Sequence, residues 1–194
     1  MKSTILTSIR VFLLLTLLTG VLYPVGIWGV SHLVLPWQSE GSQILRNNGV
    51  AGSVLIGQNF TSPQYFQGRP SATSERPYNA MASGGSNFGP SNPDLKDSLR
   101  ARSQVLCMKD SCNQTSPPQQ LLQASASGLD PHISPAAAIF QVERIAKSRN
   151  MDPAKLLALI DAKEENRLWG IFGEPRVNVL LLNLELDQIV NTEK

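Results

Sequence analysis

Val11-Phe-Leu-Leu-Leu-Thr-Leu-Leu-Thr-Gly-Val-Leu-Tyr-Pro-Val-Gly-Ile-Trp-Gly-Val-Ser-His-Leu-Val-Leu35 is the stretch that decides the fold. It holds no Asp, Glu, Lys or Arg, and the uncharged run continues to Ser39. As a helix, 25 residues extend roughly 37 Å at about 1.5 Å each. A hydrocarbon core of about 30 Å is crossed by such a helix with some tilt. A secretory signal is the competing reading, with Lys2 and Arg10 as its charged start. The apolar core of such a signal runs about 7–15 residues, shorter than this one, and no Ala-x-Ala-like cleavage pattern follows here. Gly20, Pro24, Gly26 and Gly29 are compatible with a span, because Gly and Pro are common in membrane helices. The sequence predicts a retained anchor over 11–36, behind a short cytoplasmic segment 1–10.

Basic residues near the ends orient the span. Lys2, Arg10 and the α-amino group precede it, whereas only Arg46 follows soon after. The bias places the N-terminus inside and the domain outside the cytoplasm. Trp28 and Trp37 flank the outer end, Trp37 as an interfacial anchor.

After Glu40 come 154 residues, with 15 basic and 14 acidic side chains. That length suits one domain with a real core, expected at 52–194 behind a connector at 37–51. Near-neutrality gives no basic footprint for nucleic acid, and 6% aromatics give no stacking platform. The fold class expected is mixed α and β, with a single N-terminal transmembrane helix outside the domain.

Gly52-Ser-Val-Leu-Ile-Gly57 reads as a short buried strand at Val54–Ile56. Residues 61–93 follow, more than half of them Gly, Pro, Ser or Asn. Five prolines there forbid a long helix or central strand. Tyr65, Phe66, Tyr78 and Phe88 nevertheless argue for an ordered, irregular surface. Asn92 and Pro93 start a helix over Asp94–Leu106. Ser134-Pro135 and Asp152-Pro153 are two further helix starts. The first leads an apolar face of Ala138, Ile139, Val142, Ile145 and Ala146, ended by Asn150. The second leads Leu156, Leu157 and Ile160. Gly170 and Gly173 mark turns. Arg176–Asn183 reads as a buried strand, with helix as a possibility past Leu182.

Chemistry-bearing groups are sparse. His32 lies in the anchor and His132 follows a proline, so no His pair forms a metal site. Ser127 or Ser134 with His132 and Asp130 are crowded too closely for a triad and lack a Gly-x-Ser-x-Gly elbow. Asp130 and Ser134 sit better as helix-start residues. Ser83-Gly84-Gly85-Ser86 is the best candidate anion nest, without a P-loop's lysine. Gln141 and Arg144, one turn apart, are read as the polar, solvated side of their helix, from which they can reach a ligand. Glu164 and Glu165 point apart. Cys107 and Cys112 suit a small disulfide in an oxidising compartment, with two free thiols as the alternative. Four-ligand zinc needs more than this pair.

Taken together, the pieces resemble the C subunit of the bacterial Kdp-type potassium-transporting ATPase. Those pieces are Thr19–Pro24, Gly52–Phe60, Arg69-Pro-Ser-Ala72, Ala82–Asn87 with Gly89–Pro93, Ala124–Ser134, Gln141 with Arg144, and Gly173–Val179. They run in order over nearly the whole chain. The stretch 107–118 departs from the pattern as an insertion. The resemblance implies a heteromeric complex in the bacterial inner membrane. Its implied partners are a potassium-selective channel-like subunit, a P-type ATPase subunit that forms an aspartyl-phosphate, and a small single-span subunit. The chain would be accessory and non-catalytic, with potassium handled by its partners. It would stabilise assembly and act as a catalytic chaperone that raises the ATP affinity of the hydrolysing subunit. The resemblance points to Gln141, Arg144 and Ser83–Ser86 as nucleotide or interface candidates. The runner-up readings are a membrane-tethered extracytoplasmic hydrolase and a nucleotide-binding module.

Overall fold

Pro24 shapes the N-terminal helix. A proline cannot donate to the carbonyl four residues back, and its ring crowds that turn. The helix answers with a π turn at Leu18–Leu22, where the Tyr23 N–H reaches Leu18 O. Helix α1 (Lys2–Leu17) thus runs through the wider turn into α2 (Tyr23–Val34). The combined 33-residue helix is apolar, has no buried residue in its apolar window and is long enough to cross a membrane. A short α3 (Pro36–Ser39) follows, then an antiparallel hairpin of β1 (Gln43–Arg46) and β2 (Gly49–Ser53). Trp37 Nε1 donates to Gln43 O at 2.8 Å, and Ser53 Oγ donates to Gly41 O at 2.7 Å.

The computed structural model describes residues 2–46, 49–110, 112 and 116–192. Of the insertion expected at 107–118, positions 111 and 113–115 lie outside the described residues. The chain divides into two units, one ending at Ser53 and the other beginning at Val54.

In the second unit, α4 (Pro93–Asp110) and the one-turn α5 (Gln119–Leu122) precede β3 (His132–Ile133). Then come α6 (Pro135–Phe140), α7 (Val142–Arg149), α8 (Pro153–Lys163), β4 (Glu164–Glu165), β5 (Arg176–Asn178) and α9 (Val179–Thr192). The three short strands form an antiparallel sheet in the order β3-β5-β4. Ile133 and Glu164 both face Val177 in its register. The cap residues act as the sequence predicts. Ser134 accepts from the Ala137 N–H, Asp152 accepts from the Ala154 N–H, and Asn150 closes α7 in the left-handed region at φ 54°. Phe66, Ile133, Ile145, Leu156, Ile160, Val177, Leu182 and Leu186 form the buried centre. Ile139 and Leu157, expected on the apolar faces, are exposed.

Two expected strands are corrected. Val54–Ile56 is a turn, and Leu55 is exposed; the strand of this region lies earlier, at Gly49–Ser53. The expected strand 176–183 stops at Asn178. There the side-chain carbonyl accepts from the Leu180 and Leu181 N–H groups at 3.1 and 3.2 Å and starts α9. The Asn178 amide also donates to Val54 O at 2.8 Å. An asparagine that satisfies helix-start amides makes continuation as a helix favourable despite the β-branched flanks.

Candidate functional site

Gln141 and Arg144 do not lie on a solvated face. They are 1% and 8% exposed, a correction to the polar-face expectation. Both point under the Pro-rich segment and hold its backbone. Gln141 Oε1 accepts from Gln67 N at 2.8 Å, and its Nε2 donates to Gln67 O at 3.0 Å. The same Nε2 also donates to Ala137 O, and Oε1 accepts from Arg144 Nη2 at 2.7 Å. A carboxamide has two donor hydrogens and two acceptor lone pairs, so the Gln141 side chain is fully engaged. Arg144 Nη1 donates to Pro63 O and Tyr65 O. Its Nε meets Asp110 Oδ1 at 2.6 Å, with both side chains buried. Burial pushes the Asp110 carboxyl above its ordinary value, against the pull of Arg144 and, less strongly, Lys109.

One residue earlier in the loop, Asn183 of α9 repeats the arrangement. Its Oδ1 accepts from Phe66 N and its Nδ2 donates to Phe66 O, both at 2.9 Å. Arg149 completes the row. It donates to Gln64 O at 2.7 Å, pairs with Asp187 at 2.9 Å and lies 4.7 Å from the centre of the Tyr65 ring. Side chains of Gln141 at the α6–α7 junction, of α7 and of α9 therefore stand in for a neighbouring strand, satisfying peptide groups that an irregular segment otherwise leaves unpaired. Phe66 is fully buried, whereas Phe88, near the far end of the loop, is exposed.

Tyr78 fastens the middle of the loop. Its hydroxyl donates to Arg69 O, and its ring fills the space left by Gly57 and Gly68. Burial, with the Asp130 charge adding to it and Arg69 opposing, pushes the phenol up to about 12. Ser83–Ser86 lies along the segment Ser125–Gly128. Gly84 N donates to Ser127 O at 2.9 Å, and Ser83 Oγ donates to the same oxygen at 3.0 Å. A Cβ at Gly85 would stand 2.9 Å from Ala126 O. At Gly128, φ is +68°, and a Cβ would stand 2.6 Å from Gly84 O. The glycines thus permit two backbones to lie against each other, and the Gly84 amide is already committed.

A cavity of about 710 Å³ is bordered by Arg69, Asp130, His132, Glu165, Arg176 and Phe172 among others. Charges alternate along it. Arg69 meets Asp130 at 3.0 Å, and His132 stands 3.6 Å from Asp130 and 3.9 Å from Glu165. Arg176 meets Glu165 at 2.8 Å. Burial pushes the Asp130 carboxyl up, but hydrogen bonds from the His132 side chain and backbone, and Arg69, outweigh it and hold the pKa below its ordinary value. Ser134 borders the same cavity, but neither it nor Ser127 pairs with His132 among the described residues. Ser134 caps α6, and Ser127 Oγ accepts from Leu129 N at 3.1 Å. The arrangement lacks an activated nucleophile, and no group of metal-ligating residues occurs among the described residues.

Cys107 and Cys112 are joined by a disulfide at the end of α4, with Asp110 inside the ring they close. The engagement of Gln141, Arg144 and Asn183 with backbone groups more than 70 residues away was not readable locally. For Gln141 and Arg144 the one sequence signal available was the interruption of an otherwise apolar helix face by long polar residues.

The family model described as K+-transporting ATPase, c chain (KdpC), matches residues 5–188. Proteins named "Potassium-transporting ATPase KdpC subunit" are similar over nearly their full lengths. The one from Dechloromonas aromatica is 50% identical over 189 residues, covering 97% of this chain and 99% of that protein. The one from Polynucleobacter asymbioticus is 52% identical over 187 residues, covering 96% and 99%. A Janthinobacterium relative is 52% identical over 188 residues, covering 97% and 100%. With the apolar N-terminal helix and the mixed α and β domain, these matches assign the chain to the KdpC family, the c chain of K+-transporting ATPases.

Proposed function

We propose that this chain is a non-catalytic subunit of a potassium-transporting ATPase and acts through assembly of the complex. Segment 11–36 holds it in the bacterial inner membrane, with 1–10 cytoplasmic and the domain from 52 onward outside. Its partners are a potassium-selective channel-like subunit, a P-type subunit that hydrolyses ATP, and a small single-span subunit. The names of its relatives support the complex, and Lys2 and Arg10 ahead of the apolar helix support the orientation.

The observation that carries the reading is the Gln141 carboxamide, buried with all its hydrogen-bonding capacity engaged inside the domain. A residue in that state has nothing left to offer a nucleotide unless the loop first detaches. A catalytic-chaperone effect on ATP affinity therefore reaches the hydrolysing subunit through assembly, and Gln141 and Arg144 serve it as loop-holding residues. An extracytoplasmic domain has no cytoplasmic ATP to meet, which agrees.

The test is Gln141→Ala in the intact complex. Complex yield is expected to fall, while the ATP concentration for half-maximal hydrolysis of the surviving complex stays within about two-fold. A rise of about ten-fold at unchanged yield would establish direct nucleotide contact instead.

A further inference from the structure

The hairpin between β4 and β5 ends in Leu168-Trp169-Gly170-Ile171-Phe172, and its four side chains are 61, 81, 72 and 60% exposed. The tip is built rather than loose. Leu168 N donates to Phe172 O at 2.8 Å, and Phe172 N donates to Leu168 O at 3.0 Å. Trp169 and Gly170 adopt φ of 53° and 74° to turn the chain. The Trp169 and Phe172 rings meet edge to face at 6.2 Å. Below the tip stands a collar of paired charges, Arg167 with Glu174 at 2.7 Å and Arg176 with Glu165 at 2.8 Å.

We infer that this tip enters the interfacial layer of a lipid bilayer, as a second membrane contact of the chain. The exposed apolar area is roughly 500 Å², taking about 200 Å² for a whole large side chain, a patch of the size that marks a contact site. Two observations favour lipid over a protein partner. The tip's side chains offer one polar hydrogen, on the indole, whereas a protein interface carries about one hydrogen bond per 100–200 Å². A tryptophan among aliphatic groups, with its charges set back, is the composition of the membrane–water boundary. The chain's own apolar helix, long enough to span, makes a bilayer an obligatory neighbour. Because the collar charges are paired, the contact requires no anionic lipid and resists salt.

The test uses the full chain in phosphatidylcholine nanodiscs, with Trp28→Phe and Trp37→Phe leaving Trp169 as the sole tryptophan of three. Brominated acyl chains are expected to remove at least about half of its emission, as for an indole seated 5–10 Å into the boundary. Aqueous iodide should quench little, and adding salt or phosphatidylglycerol should change neither result. Emission that is quenched by iodide and untouched by brominated lipid would overturn the inference. So would emission that becomes protected only when the other subunits are present, with no effect of brominated lipid. An independent measurement leaves every tryptophan in place. The described cysteines are all disulfide-bonded, so a spin label at Ile171→Cys reports oxygen against nickel-chelate collisions. Oxygen-dominated collisions are expected, and chelate-dominated ones would refute the proposal.

Discussion

Replacing Asn183 with leucine tests the mechanism that orders the Pro-rich loop. The two side chains branch alike, and leucine is the bulkier, so any overpacking adds to the loss. What disappears is the pair of 2.9 Å hydrogen bonds to Phe66 N and Phe66 O. Asn183 is 2% exposed and Phe66 fully buried, so water cannot readily replace the lost partner. A buried polar group left unsatisfied costs about 1–3 kcal/mol. Two of them cost about 2–6 kcal/mol, and the added apolar side chain returns about 1 kcal/mol or more. A net loss of about 1–5 kcal/mol follows, and for a domain of this size about 3–20 °C in Tm. Calorimetry of the full chain in detergent reads the shift in the domain transition. Amide hydrogen exchange reads its place, since the Phe66 N–H should lose protection before the amides of α8 do. A Tm within about 1 °C of the parent, with Phe66 still protected, would refute the claim that side chains of α7 and α9 hold this loop by its backbone.

Two further outcomes follow from the packing and the charge row. Gly57→Ala sets a Cβ 2.6 Å from Asp130 O and against the Tyr78 ring, and overpacking of that kind costs about 1–3 kcal/mol; Gly84→Ala, where nothing lies within 4 Å, should leave the thermal transition nearly unchanged. Asp130 has a folded pKa below its ordinary value, so the unfolded chain binds more protons in that window and stability rises with pH through it. Its contribution is present above the ordinary carboxylate value of about 3.9 and is lost as pH falls through the lower folded value. Asp130→Asn should therefore flatten the acid limb of a Tm-against-pH curve, and an unaltered acid limb would show that other carboxylates set it.

The features legible in the sequence are those fixed by neighbours along the chain. The uncharged run from Val11 identifies the long helix because hydropathy and length are local sums. Ser134, Asp152 and Asn150 announce helix ends because caps act over a single turn. Val54–Ile56 misled because three apolar residues between glycines satisfy a strand pattern, while their exposure depends on what packs nearby. Gln141 and Arg144 were found by motif but assigned to solvent, since a long polar side chain looks the same whether it meets water or a distant peptide group. Asn183 carried no signal at all. The Leu168–Phe172 tip read only as a turn, because nothing along the chain tells an exposed apolar cluster from a buried one.

A segment gripped through its peptide groups carries little demand on the identity of the side chains it turns outward, the buried Phe66, and Tyr65 and Tyr78, excepted. At Gln64, Tyr65 and Gln67 the holding residues bond to main-chain atoms, which every amino acid but proline supplies. Surface chemistry along this loop is therefore free to be rewritten while its position stays fixed. The constraint falls on Gln141, Arg144, Arg149 and Asn183, which lie far away in the chain. Anyone regrafting this surface should leave those four untouched and treat the outward side chains of the loop as the editable part.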